Sequence, residues 1–251
     1  MSTFAKICFV IFLFEEKLAV CQSKKAVIEK FIQAVGGRER WLSIRTEIDS
    51  GMIIEYKSEG VFEKSRIDTT FFKTITVYPN KQKFTSYEYK NDPILGRSLV
   101  QYSTCFNGTY LWTGSPGKIR VQSPEESESF KNTITLGLPG LFLLDKTAEV
   151  EYIGTEKLNN KNYEVLKIKG TNNFFYQLVY FDPLTGLEYC TVGYDTPIKR
   201  FNYSTEYRYI DNVAVAVVGE NFVDGVLKGK TVILSVELNK AVDDSTFSEF
   251  K

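Results

Sequence analysis

The sequence contains no histidine among its 251 residues. This absence excludes a histidine-based catalytic triad, a histidine metal site and acid–base transfer by an imidazole ring near neutral pH. Cysteine is also scarce, and its 4 positions have none of the close spacings of a cysteine-only zinc site. We therefore expect no metal, no cofactor and no enzymatic activity that depends on these groups.

Neither sign of charge is in excess, because lysine plus arginine and aspartate plus glutamate each number 31. A protein that binds nucleic acid or an acidic membrane surface normally has a basic surface, so we expect no nucleic-acid partner. Beyond the N-terminal region, no apolar run approaches the roughly 20 residues that a membrane-spanning helix needs. The mature chain is expected to be soluble, or tethered only through a lipid.

The N-terminus has the pattern of an export signal. Lys6 precedes an apolar run, Ile7–Phe14, that is too short to span a bilayer. Small residues fit ordinary signal-peptidase cleavage before Gln22, whereas Leu18–Cys21 resembles a bacterial lipobox in which Cys21 would be acylated. A valine is a poor residue before a lipobox cysteine, which favours simple cleavage. A buried N-terminal helix is the remaining alternative.

Removal of a signal over residues 1–21 would leave two cysteines, Cys105 and Cys190, each within a strand-like segment. Two cysteines in an oxidising compartment can form a disulfide if their Cα atoms approach closely enough. The sequence leaves open whether these two pair or remain separately buried thiols.

Two helices and then a long series of strands are predicted from the apolar spacing. Over residues 23–35 the apolar side chains recur on one helical face, and Gly36–Gly37 would end that helix. A short helix over residues 38–44 would turn Trp41 inward. From Thr46 onward, short strands separated by turns predict an antiparallel sandwich or barrel. The 15 tyrosines and 19 phenylalanines suit strands and a cavity lined with rings.

An apolar insert interrupts the strands over residues 124–144. Glutamates after Pro124 favour a helix start, and the segment Ile134–Leu144 that follows is almost wholly apolar. Pro139-Gly140 would split it into a helix, a hinge and a short second segment. Two interpretations remain: a plug that fills the core, or a movable lid over a cavity with its hinge at Gly137, Pro139 and Gly140.

The chain ends in a strand followed by an acidic tail. Val232, Leu234, Val236 and Leu238 alternate with other residues, so we expect these four to share the covered face of the sheet. No third ligand lies near Asp243-Asp244, so a solvated tail is expected there.

The order of these elements resembles the outer-membrane lipoprotein-sorting, LolA/LolB-like superfamily of bacteria. The resemblance extends over nearly all of the chain, from about Ser23 to Phe250. The segments that carry it, in order, are Ala34–Arg38, Trp41–Ile44, Asn107–Trp112, Tyr180–Leu187 and Val236–Phe247.

The resemblance implies a mainly β fold with α: an incomplete, strongly curved antiparallel β-barrel with helices filling its concave face. Residues 22–251 would form this single half-barrel domain after the signal peptide. Asp243–Phe247 would be a C-terminal signature that closes the fold rather than a solvated tail. It also implies a monomeric periplasmic carrier that binds lipoprotein acyl chains or another lipid in an apolar cavity and moves it toward the outer membrane. Acylation of Cys21 would instead make it an outer-membrane lipoprotein.

Such a carrier needs a large apolar pocket, because each CH₂ group shielded from water contributes about 0.8 kcal/mol, and it needs no catalytic group. The alternative function is an envelope sensor or scaffold that binds a protein partner on the same concave surface. A hydrolase would need lysine or a carboxylate in place of the missing imidazole. The candidate lipid-binding residues are Phe31, Ile32, Trp41, Trp112, Leu138, Leu141 and Phe142.

Overall fold

The structure, a computed structural model, contains one large antiparallel sheet and four helices. It describes residues 24–57, 66–92, 96–144, 148–169, 176–193 and 199–248. The predicted export signal, including Cys21, lies outside these residues. The helices are α1 (24–34), α2 (Arg38–Leu42), α3 (Pro124–Lys131) and α4 (Gly137–Leu144), with a 3₁₀ helix at Asp244–Phe247.

Thirteen strands form the sheet, and every neighbouring pair is antiparallel. Their bounds are β1 (Thr46–Lys57), β2 (Arg66–Val77), β3 (Lys81–Asp92), β4 (Gly96–Phe106), β5 (Leu111–Ser115), β6 (Lys118–Val121), β7 (Glu149–Leu158), β8 (Lys161–Lys169), β9 (Tyr176–Phe181), β10 (Glu188–Gly193), β11 (Arg200–Ile210), β12 (Val213–Val223) and β13 (Val226–Leu238). The prediction of a mainly β fold with an unclosed antiparallel barrel is confirmed.

The strand order places the first and last strands side by side at the centre of the sheet. It runs β6-β5-β4-β3-β2-β1-β13-β12-β11-β10-β9-β8-β7. The chain therefore winds outward from β1 to one edge, crosses to the opposite edge by way of α3 and α4, and winds back to β13. This single crossing carries the apolar insert over the concave face.

Side chains on the two faces of the sheet belong to different hydrophobic clusters, because successive residues of a strand point to opposite sides. Phe106 packs beneath α3 with Leu111 and Ile134. Its neighbour Cys105 packs on the other face with Trp112, and Phe247 of the 3₁₀ helix covers this pair. The sheet is thus covered on both sides where β4 meets β5.

Three tight hairpins keep the second half of the sheet in register. The turns are Asn159-Asn160, Asp211-Asn212 and Asp224-Gly225, and all six of these residues have positive φ. Two-residue loops of this kind match the twist of the flanking strands, and Asn, Asp and Gly tolerate the left-handed conformation. The last of these turns shows that β13 begins at Val226, before the alternating segment that starts at Val232.

The prediction that Val232, Leu234, Val236 and Leu238 share one covered face is wrong. The pairing of β13 with β1 shifts register between Ser50 and Gly51. A bulge adds one residue to a strand and reverses the facing of everything beyond it. Leu238 packs against the cluster around Ile44, whereas Leu234 is 54% exposed.

The predicted hinge at Pro139-Gly140 is also wrong, because α4 is continuous through these residues. Pro139 lies in the first helical turn, where its missing N–H would have no partner in any case. Gly140 donates its N–H to the Leu136 carbonyl oxygen, as a helical residue should. The chain breaks instead between α3 and α4, and Gly137 begins α4 with a left-handed φ of +61°.

The C-terminal tail is folded rather than solvated. Asp243 accepts a hydrogen bond from the Ser245 N–H and so caps the 3₁₀ helix, and Asp244 pairs with Lys81 at 2.8 Å. Phe247 is only 2% exposed. Among the described residues, no helix is long and apolar enough to cross a membrane.

The two cysteines that the sequence left open are free and buried. Cys105 is in β4 and Cys190 is in β10, and six strands lie between these two in the sheet. The structure thus has two separately buried thiols, and each fills space in its own apolar cluster.

Glycine at position 36 allows the end of α1 to approach the sheet. Gly36 has a φ of +116°, and a Cβ there would lie 2.3 Å from the Asn212 carbonyl oxygen. Ala214, near the start of β12, donates its N–H to the Val35 carbonyl oxygen at 3.0 Å. This contact fixes α1 over the concave face.

We predict that Gly36→Ala lowers the free energy of unfolding by about 3 kcal/mol, since backbone strain and a backbone clash add together. Gly37→Ala is the matched control: its φ of +88° is also left-handed, but its Cβ would meet only the end of the Gln33 side chain at 3.8 Å. We expect the control to lose about 1–2 kcal/mol. Urea unfolding of both variants measures the difference, and equal losses would contradict the close approach.

Candidate functional site

Two adjoining cavities lie beneath the start of α4. The larger has a volume of about 470 Å³ and the smaller about 330 Å³. The smaller cavity lies between α1, α2 and strands β11 and β12, while the larger opens toward β9 and β10. Both cavities are lined by Tyr78, Thr135, Leu136, Gly137, Leu138 and Glu188.

The structure brings six of the seven candidate lipid-binding residues into one cluster on the concave face. Phe31 and Ile32 of α1 are buried there, and Trp41, Leu138, Leu141 and Phe142 pack against them. Phe31 meets Phe142 edge to face, with ring centroids 5.9 Å apart. Phe31, Trp41 and Leu138 line the smaller cavity, and Leu138 and Leu141 line the larger.

Trp112 is the exception, and its placement corrects the sequence-based candidate list. It lies on the opposite face of the sheet at 0% exposure, covered by Phe247. The ammonium of Lys83 sits 5.6 Å from its ring centroid. A strand of five residues shows too little alternation to indicate which face Trp112 would take, and its position on the opposite face places it outside both cavities.

Carboxylate and tyrosine side chains in these cavities were missed by the sequence analysis. The Tyr78 hydroxyl donates to Glu47 Oε2 at 2.5 Å. The Ser204 hydroxyl donates to Glu188 Oε1 at 3.2 Å, and the Tyr207 hydroxyl donates to the Glu188 carbonyl oxygen at 2.8 Å. The available signal was the spacing of Glu47 and Asp49 in β1, which places two acids on one face of a central strand.

Burial changes the protonation of these acids. Desolvation raises the pKa of Glu188, and its hydrogen bonds from Ser204 and Tyr207 only partly oppose the effect. Burial first, and then the neighbouring Glu47, raises the pKa of Asp49 to about 7. The pKa of Tyr78 is also raised, chiefly by burial and next by Glu47. Burial therefore disfavours the charged forms of Glu188 and Asp49 as long as no cationic group lies beside them.

The arrangement suits binding better than it suits bond cleavage. Apolar residues make up most of the lining and come from three helices, from the segment before α4 and from the strands, while Tyr78 and Tyr207 hydrogen-bond to Glu47 and Glu188. An apolar lining with a few polar groups is the usual composition of a ligand cavity. Within the part of the chain that the structure describes, no group of three or more Cys, Asp or Glu side chains is placed to hold a metal ion.

Two other cavities are less suited to an apolar ligand. One of about 480 Å³ lies across β1, β12 and β13 and is lined largely by polar and charged side chains, including the Glu220–Lys230 ion pair. Another of about 250 Å³ lies between α1 and strands β7 to β9. The cavities beneath α4 are therefore the candidate functional site.

No family model matches the chain, and no curated protein matches it. Solved structures, in contrast, superpose on this chain. A DUF1329 family protein from Desulfovibrio piger superposes with a TM-score of 0.58 at 11% identity, covering 90% of this chain and 97% of its own. A LolA superfamily protein from Nitrosomonas europaea gives 0.57 at 9% identity, covering 90% and 97%.

A third solved structure, a putative outer membrane lipoprotein-sorting protein domain from Vibrio parahaemolyticus, gives a TM-score of 0.51 at 15% identity and covers 92% of this chain and 95% of its own. Identities this low carry the fold and no residue-by-residue correspondence. The three likenesses cover 90–92% of this chain, so the half-barrel expected from the sequence resemblance is confirmed.

The raised pKa of Asp49 predicts a pH-dependent stability. Between the unfolded-state pKa of about 3.9 and the folded pKa of about 7, the folded protein binds more protons at this group than the unfolded chain does. The contribution of Asp49 to the free energy of unfolding therefore falls as the pH rises through this window. Above it, the folded state carries a buried charge.

We predict that Asp49→Asn changes the free energy of unfolding more favourably at pH 8 than at pH 4. The difference between the two effects should be roughly 1–3 kcal/mol. Urea unfolding at both pH values measures this difference. Asp244→Asn is the control, because Asp244 is exposed and its ion pair with Lys81 contributes at most about 1 kcal/mol. A pH dependence that Asp49→Asn leaves unchanged would contradict the assignment.

Proposed function

We propose that this chain, which has the half-barrel fold of LolA superfamily and outer-membrane lipoprotein-sorting proteins, is a non-enzymatic carrier of an apolar ligand. The ligand would lie in the two cavities beneath α4. The observation that carries the proposal is the joint lining of these cavities by α1, α2 and α4 against the concave face.

The dimensions support this proposal. The cavity volumes of about 470 and 330 Å³ fall within the range of small-molecule sites, roughly 300–1,000 Å³. Ten methylene groups moved from water into such a site would contribute about 8 kcal/mol before the costs of association. Burial of a single acyl chain would therefore supply the main favourable contribution to binding in this site.

The proposal includes the cellular setting. Residues 1–21 would act as an export signal, and residues 22–251 would work as a single monomeric domain in the periplasm, receiving lipoprotein acyl chains or another lipid there and moving them toward the outer membrane. The proteins of similar fold include one named for lipoprotein sorting, which supports this setting.

The alternative, a sensor or scaffold that binds a protein on the same concave surface, differs in what accompanies the protein. Intact-mass analysis of protein purified from its native envelope would report signal cleavage, Cys21 acylation and retained lipid together. Retained lipid supports the carrier. A protein partner without lipid, together with failure to bind acyl probes, would overturn it.

We predict that Leu138→Gln weakens binding of a fluorescent acyl probe at least tenfold, because an amide would enter the lining of both cavities. Leu184→Gln is the matched control, since Leu184 is 87% exposed in the β9–β10 turn. Titration of the probe, with thermal unfolding to verify that both variants fold, provides the measurement. Equal affinities of the two variants would argue against the proposed site.

A further inference from the structure

Among the described residues, the linings of the two cavities beneath α4 include carboxylates and no cationic side chain. Glu188 lines both cavities and Glu47 lines the smaller, while the described residues of the two linings include no lysine or arginine. Neither glutamate has an ion-pair partner among the described residues. The other polar lining side chains are neutral: Tyr78, Thr135, Gln177, Thr191 and Tyr207.

The hydrogen bonds within the site leave acceptors available and use up the tyrosine donors. The Tyr78 O–H is committed to Glu47, and the Tyr207 O–H is committed to the Glu188 carbonyl oxygen. Each ionised carboxylate can accept about four hydrogen bonds. Glu188 Oε1 receives one from Ser204, and the Tyr207 hydroxyl lies 3.5 Å from Oε2. A ligand group that donates would find unused acceptors here.

The start of α4 does little to attract an anion. Helix N-termini bind anions through free N–H groups. In α4 the third residue is Pro139, which has no N–H, so this helix start has one free donor fewer than a helix without proline there. The same cavity also contains the Glu188 carboxyl group. An anionic ligand end would therefore meet fewer donors than usual and a competing acid.

We propose that this site selects an apolar ligand whose polar end is a hydrogen-bond donor, a primary amine above all, over one that ends in a carboxylate or a phosphate. Glu188 binds the donor from within the larger cavity, with Glu47 supporting it from the smaller. The apolar part of the ligand lies against Leu138 and Leu141. This inference rests on the proposed function and names the chemical class of its ligand.

The test compares three probes with the same twelve-carbon chain: dodecylamine, dodecanol and dodecanoic acid. Isothermal titration of the purified mature protein at pH 7, below the aggregation concentration of each probe, gives three dissociation constants. We expect the amine to bind at least tenfold more tightly than the acid, with the alcohol between them. This comparison requires no variant and so is independent of any folding defect.

Variants then assign the preference to the cavity. Glu188→Gln is expected to weaken dodecylamine binding about tenfold and to leave dodecanol within twofold. Glu47→Gln is a second variant with a smaller effect in the same direction, and it serves if Glu188→Gln does not fold. The matched control is Glu156→Gln, because Glu156 also accepts a tyrosine hydroxyl, from Tyr180 at 2.7 Å, but lines neither cavity.

The outcomes separate the inference from the function beneath it. Equal binding of all three probes, or tightest binding of the acid, overturns the amine preference and leaves the apolar carrier in place. An amine preference that Glu188→Gln and Glu156→Gln reduce equally overturns it too, since the attraction would then be a general surface charge. Failure of all three probes to bind overturns the carrier itself.

Discussion

The connection from β6 to β7 must cross the whole sheet, because these two strands form its opposite edges. The tight turns of this antiparallel sheet cover neither face, whereas the β6–β7 connection carries α3 and α4 across the concave face. Its apolar residues are buried in two places: Ile134 against Phe106 and Leu111, and α4 against α1. The cavities exist because this crossing chain bridges the concave surface at α4 without filling it.

The remaining features of the site depend on where that bridge lies. Gly36 lets α1 approach the β11–β12 turn closely, which sets the distance between α1 and the concave face of the sheet. Gly140 lets α4 turn tightly over Leu136, where a Cβ would come within 2.7 Å of the Leu136 Cβ. Gly36 and Gly140 therefore determine how much space remains between the helices and the strands.

Periodicity in the sequence was enough to predict α1, most strands and an antiparallel sandwich or barrel, because those features depend on local spacing. The half-barrel was implied only by the family resemblance in the order of elements. It could not predict the facing of β13, since one bulge opposite Ser50 and Gly51 reverses the pattern. It could not place Trp112 either, because a five-residue strand carries too little alternation to show which side is covered.

The acids of the cavity escaped the sequence analysis for a different reason. A glutamate within a strand is normally assigned to the solvent side, and nothing local distinguishes Glu188 from such a residue. Only the fold brings Tyr207 and Ser204 of β11 beside it. Glu188 departs from the usual exposure of a strand glutamate, and its hydrogen bonds to Tyr207 and Ser204 compensate for this. Such departures from local pattern are where functional sites are expected.

The pairing of β1 with β13 also determines when the fold can be completed. Glu47 pairs with Leu238, so the seam at the centre of the sheet joins the beginning of the domain to its end. Each half can form as a meander of near neighbours, but the two halves join only once the last strand has been synthesised. Contacts this distant in sequence form slowly. A chain built in this way keeps an unpaired strand edge at the centre of its sheet until its last strand has been made.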